Sequence, residues 1–141
     1  MGEVQCAVDS IRVGVACPER TLTLRQKGTE SYLPIWIRPS EAEILADQLH
    51  GRPDKGVELD LFLAKNNAVT ADIRGAVVRL EGATSCATVL LSQHDSDYEA
   101  KCPIGIALAL AVRANAPVLA DEALFDRAGV RLPSTASESH R

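Results

Sequence analysis

The sequence predicts an α+β fold: a mixed or antiparallel sheet packed by three main helices in a single domain. Short runs that alternate polar and apolar residues, or are rich in Val, Ile and Thr, recur between Gly, Pro and acidic turns, which is the pattern of strands. Two prolines, Pro39 and Pro103, stand where a strand-like run gives way to a helix-like one. The run Ile104–Val112 is apolar on nearly every side, so its helix belongs in a core or at a subunit contact. With 141 residues, 46% of them hydrophobic and 24% charged, the chain is large enough for one sizeable core and too apolar for a disordered protein. Residues 1–132 form the expected domain and 133–141 (PSTASESHR) a flexible C-terminal tail.

Each element has a local reason. Val4–Val8 and Ile11–Val15 alternate imperfectly and read as one strand that bends. Cys17-Pro18-Glu19-Arg20 is a turn, Thr21–Gln26 a half-buried strand, and Lys27–Glu30 the turn of a hairpin to Tyr32–Ile37. Pro34 removes a ladder donor from that last strand and predicts an edge position. Ser40-Glu41-Ala42-Glu43 has the form of a capping box for a helix to about His50, with Ile44, Leu45, Ala46 and Leu49 as its stripe and Gly51 as its stop. After a loop at Arg52–Gly56, Val57–Asn67 is a second helix carrying Leu59, Phe62 and Leu63 on one face. Val69–Ile73, Ala76–Leu80 and Thr84–Ser92 read as strands, with a join at Glu81-Gly82 and a polar turn at His94–Asp97 before a short strand at Tyr98–Lys101. A third helix follows from Pro103 to about Asn115. Then come a short strand at Pro117–Ala120 and a short helix capped by Asp121 and stopped by Gly129. The order strand, proline, helix thus occurs twice, at Tyr32–Leu49 and Tyr98–Arg113, although the two stretches share little identity.

Net charge is −4, with an isoelectric point near 5.3, which argues against gripping nucleic acid by bulk attraction while leaving room for a local basic site. Arg12, Arg25, Arg38 and Arg52 could line such a groove. The four cysteines (Cys6, Cys17, Cys86, Cys102) form no CxxC and are expected to be reduced and mostly buried. No leader is read in MGEVQCAVDS, and the longest apolar run is about half the length that spans a bilayer. The expectation is a soluble, cytoplasmic protein with no membrane association.

Glycine-rich phosphate loops, HExxH and GxSxG are absent, and the histidines (His50, His94, His140) fall at a helix end, a turn and the tail. Arg38 and Ser40, at the junction of a strand and a helix N-terminus, are candidates to bind phosphate. Glu41 and Asp60, the latter near Glu58 at the start of the next helix, are candidates to share a divalent cation and to activate water for attack on a phosphodiester. Plain helix capping and dipole complementation explain the same residues more simply.

Tyr32-Leu33-Pro34-Ile35-Trp36-Ile37, followed by Pro39 and Glu41-Ala42, resembles the signature of the bifunctional nuclease domain family. Asp60-Leu61, Pro103, Ala107-Leu108-Ala109, Ala116-Pro117 and Ala128-Gly129-Val130 follow in the family's order, so the resemblance runs from about residue 3 to 132. It implies an α+β fold, a homo-oligomer (a dimer), and DNase and RNase activity, a metal-dependent phosphodiester hydrolysis using Mg²⁺ or Mn²⁺. Glu41 and Asp60 are then the catalytic and metal-binding acids, and Arg38 and Ser40 the phosphate-binding pair. The chain departs from the family pattern in three places. Arg38 replaces a Gly, Leu59 replaces the His of His-Asp-Leu, and Cys102-Pro103-Ile104-Gly105 replaces Arg-Pro-Ser-Asp. Three readings follow: a nuclease, a catalytically degenerate binding or regulatory module on the same scaffold, and a small-molecule binder.

Overall fold

The computed structural model describes residues 2–13, 20–51, 56–81 and 84–131. Most of the turn expected at Cys17–Arg20, most of the loop at Arg52–Gly56, Gly82 of the Glu81-Gly82 join and the tail from 133 lie outside the described residues, as do Cys17, Arg52 and His140. The first strands are β1 (Glu3–Val13), β2 (Arg20–Gln26) and β3 (Ser31–Ile37), followed by helices α1 (Pro39–Leu49) and α2 (Gly56–Lys65). Then come β4 (Asp72–Glu81), β5 (Thr84–Gln93), β6 (Ser96–Cys102), α3 (Ile104–Arg113), β7 (Val118–Asp121), α4 (Glu122–Ala128) and β8 (Val130–Arg131).

Eight strands join in one sheet in the order β6-β5-β4-β7-β1-β2-β3-β8. It consists of two antiparallel three-strand meanders, β1-β2-β3 and β4-β5-β6, each followed by a proline and a helix. The strand–proline–helix order read twice in the sequence is present twice in the fold. β7 lies between the meanders, antiparallel to β1 and parallel to β4, and so supplies the sheet's mixed character.

The imperfect alternation of the first strand has a cause. Register shifts between Val8 and Ser10, leaving Asp9 as an extra residue. Val4, Cys6 and Val8 pack toward the core before this bulge, and Ile11, paired with buried Leu22, after it. One inserted residue flips the parity of all that follow. β4 repeats the device. Its register shifts between Ile73 and Gly75, so the two strands expected at 69–73 and 76–80 are one bulged strand, and Val69 and Thr70 belong to the turn before it. A Cβ at Gly75 would stand 2.9 Å from the Pro117 carbonyl oxygen, which accepts from the Ala76 amide. The β5–β6 turn is tighter than expected: only His94 and Asp95 form it, both at positive φ, so β6 begins at Ser96.

α1 and α3 pack against each other on one face of the sheet. Ile44 and Leu45 from α1, Ala107–Ala111 from α3 and Leu59 and Leu63 from α2 are buried there with Leu22, Leu24, Leu33, Ile35, Val78 and Val89. The all-apolar third helix is therefore a core helix. Leu49, expected in the α1 stripe, is exposed, and Ala42 and Glu41 are buried instead. On the opposite face Arg79 donates to Thr88 and Glu99 on one side and pairs with Glu3 on the other, a span from β6 to β1.

Candidate functional site

The sheet curls enough for β3 and β5 to border a common cleft of about 560 Å³. The first junction contributes Trp36, Ile37, Arg38, Pro39 and Glu41; the second contributes Cys102, Pro103 and Ile104; Ser85 and Cys86 of β5 complete the wall. Both proline-led helices thus begin at one place.

The capping box is not formed. Arg38 is the N-cap of α1, its side chain makes no capping hydrogen bond, and Pro39 occupies the first turn. Pro39 has its φ set for helix and needs no amide partner, so the helix starts before Ser40, whose hydroxyl falls inside the first turn. Ser40 is exposed and is not among the cleft's lining residues. Glu41 turns inward, is only 9% exposed, and its Oε1 accepts a hydrogen bond from the Gly105 amide at 2.8 Å. It caps α3 across the helix–helix contact, satisfying a donor that helix geometry leaves orphaned. The approach is close: a Cβ on Gly105 would lie 2.4 Å from the Glu41 Cβ. Asp121, the expected side-chain cap of α4, is likewise diverted, its Oδ2 accepting from the Leu80 amide at 2.9 Å.

Asp60 stands elsewhere. Its Oδ1 accepts from Arg113 Nη1 at 3.1 Å, and its side chain is 68% exposed. Gly105 and Arg113 occupy opposite ends of α3, eight residues apart, or about 12 Å along the axis. The structure therefore does not bring Glu41 and Asp60 together. Of the four arginines considered for a basic groove, Arg38 alone lines the cleft; Arg25 is held by Glu30 at 2.6 Å on the β2–β3 hairpin, Arg12 lies on β1, and Arg52 lies outside the described residues.

The divalent cation implied by the resemblance has a poor donor set here. Hard cations take six or more oxygens, carboxylates among them. The cleft lining supplies one carboxylate, with one oxygen already bonded to an amide. Among the described residues no three His, Cys, Asp or Glu side chains come together as ligands. These residues do not form a resident metal site.

Burial pushes the Cys102 thiol up to about 12, with the Glu41 charge adding to the shift, and pushes Cys6 up to about 11. Cys86 is also raised, first by burial and then by Glu81. All three are free thiols, with Cys6 and Cys102 buried and Cys86 half-buried. Because the folded values exceed the unfolded one near 9, their contribution to stability is complete below pH 9. It drains away as pH climbs toward 11 and 12. Alkylation at pH 8 with peptide mass mapping should label half-buried Cys86 ahead of Cys6 and Cys102, and thermal stability should fall between pH 9 and 11.

The pattern of the family described as Bifunctional nuclease domain matches residues 22–133. The chain belongs to this family. Two proteins of similar sequence are those named "Uncharacterized protein Rv1829", from Mycobacterium tuberculosis strain ATCC 25618 / H37Rv, and "Uncharacterized protein MT1877", from strain CDC 1551 / Oshkosh. Each is 29% identical to this chain over 140 residues, covering 98% of it and 82% of the relative. In this bifunctional nuclease domain the matched region contains both junctions and the whole cleft. No described helix is long and apolar enough to cross a membrane.

The sequence reading assigned no role to Trp36, Ser85 or Cys86. For Trp36 a signal was present: Leu33, Ile35 and Ile37 are the inward positions of β3, so alternation places Pro34 and Trp36 outside.

Proposed function

We propose that the chain binds the phosphodiester backbone of DNA or RNA in the cleft between the two proline-led junctions, acting chiefly as a binding member of its family. The observation that carries this reading is Arg38. Its side chain is exposed, has no hydrogen bond or ion pair among the described residues, and borders the cleft at the start of α1 without capping that helix. A guanidinium with free donors takes a phosphate through paired hydrogen bonds, and first-turn amides add to the attraction.

Two of the family's polar positions support attenuated hydrolysis. Leu59, where the pattern has His, is completely buried. Gly105, where the pattern has Asp, leaves no space for a side chain against Glu41. The second reading, phosphodiester hydrolysis with Mg²⁺ or Mn²⁺, is favoured by one observation: Glu41 is a carboxylate within the cleft lining. Homodimerisation and a cytoplasmic location remain part of the proposal, the first checked by sedimentation at micromolar concentration.

Fluorescence anisotropy with labelled oligonucleotides tests the binding. Arg38→Ala should weaken affinity about tenfold and reduce the salt slope by about one. Asp60→Asn should leave binding unchanged and cost less than about 1 kcal/mol of stability, as for an exposed ion pair. Cleavage in Mg²⁺ or Mn²⁺ that Asp60→Asn abolishes would return Asp60 to the site and defeat this reading.

A further inference from the structure

We infer that Trp36 is a stacking platform for an unpaired base, and hence that the polymer taken at this site is single-stranded nucleic acid. The inference rests on the binding reading above and extends it to a substrate class.

Trp36 is the largest apolar side chain left in solvent, 71% exposed on a strand whose alternate residues are all buried. Folding has not used it. It borders two clefts at once: the junction cleft, and a neighbouring one of about 570 Å³ that Pro34, Leu124 and Arg127 also line. The surrounding backbone is open as well, since β8 pairs only with Ser31 and Tyr32 and leaves residues 33–37 without an outer neighbour among the described strands. Pro34 has no amide hydrogen to offer on that edge, which weakens it as a template for another strand.

The charge beside the indole selects the ligand. Arg38 follows Trp36 by two residues, about 6.6 Å along an extended chain, and Arg127 bounds the far cleft. A planar apolar surface between two guanidinium-bearing walls suits a polymer that alternates flat bases with anionic phosphates. In a duplex the base faces are hidden by their stacked neighbours, so an indole can cover a base only where the strand is unpaired. The chain's net charge of −4 supplies no bulk attraction. Affinity then depends more on stacking than in a basic protein, and the salt slope for a single strand paired with Arg38 should be only about −0.7.

Trp36 is the sole tryptophan, so intrinsic fluorescence reports on this position alone. Titration with a twelve-nucleotide oligothymidylate should quench it by more than half at saturation. A duplex of the same length should bind at least tenfold more weakly. Trp36→Leu should lower single-strand affinity about tenfold or more without changing the melting temperature appreciably, and Trp36→Phe should recover part of the loss. Single-strand binding seen by anisotropy without quenching, or equally tight in Trp36→Leu, would overturn the inference and leave the binding reading intact. Absence of binding to either oligonucleotide would overturn both. A blue shift of the emission that grows with protein concentration, without nucleic acid, would assign this face to a second copy of the chain and overturn the inference alone.

Discussion

Replacing Gly105 with alanine should lower the melting temperature by about 10 °C, the equivalent of about 3 kcal/mol. In an ordinary exposed helix the same change would stabilise, because alanine is the better helix former by about 1 kcal/mol. Here the new methyl group would meet the Glu41 Cβ at 2.4 Å and the Glu41 carbonyl carbon at 3.2 Å. The methyl cannot rotate away, and the atoms facing it belong to or adjoin a backbone in the middle of the core. α1 and α3 would have to separate, weakening the buried hydrogen bond that joins them. Differential scanning calorimetry checks the size. A double variant, Glu41→Gly with Gly105→Ala, should cost less than the sum of its parts, because the methyl then has room.

Glu41→Leu should cost about 2 kcal/mol, whereas Glu41→Gln should cost less than half of that. Both remove the charge, but only leucine leaves the Gly105 amide buried without an acceptor. Chemical denaturation of the three proteins measures the difference. The same pair separates two roles for one residue. If Glu41 serves mainly to cap α3, the Gln variant should retain wild-type affinity for oligonucleotides. If it is the acid of a hydrolytic site, any metal-dependent cleavage should vanish in Glu41→Gln while the fold survives.

The elements of this fold were legible because each is written in local chemistry. TLTLRQ alternates, Pro39 and Pro103 mark helix starts, Gly51 (φ +71°) stops one, and the apolar run after Pro103 called for a helix in a core or at a subunit contact. Strand continuity was less legible. An inserted residue such as Asp9 or Arg74 breaks the alternation that marks a strand, so a bulged strand reads as two short ones or as one of poor pattern. The two-residue strand β8 carries too little pattern to be seen.

The site was harder for a different reason. Ser40-Glu41-Ala42-Glu43 satisfies every local rule for a capping box, and the rules are local. What decides the matter is a backbone amide 64 residues away, brought to Glu41 by the packing of α1 on α3. The placement of Glu41 and Asp60 was hidden for the same reason, since one meets Gly105 and the other Arg113, at opposite ends of a helix that neither belongs to. Trp36 was the opposite case: its exposure follows from strand alternation alone, once Leu33, Ile35 and Ile37 are taken as the inner face.

The wedge strand β7 has a consequence for how this chain is made. Residues 118–121 are synthesised after both meanders and both proline-led helices, yet they are what joins β1 to β4. Until they emerge from the ribosome, each half can close most of its hairpins but shows one more bare edge than the finished sheet does, and bare edges recruit other nascent chains. A pause in translation within α3 should therefore be the most aggregation-prone moment in the life of the molecule, and a shortened chain ending near Asn115 should accumulate in inclusion bodies as two unsewn halves.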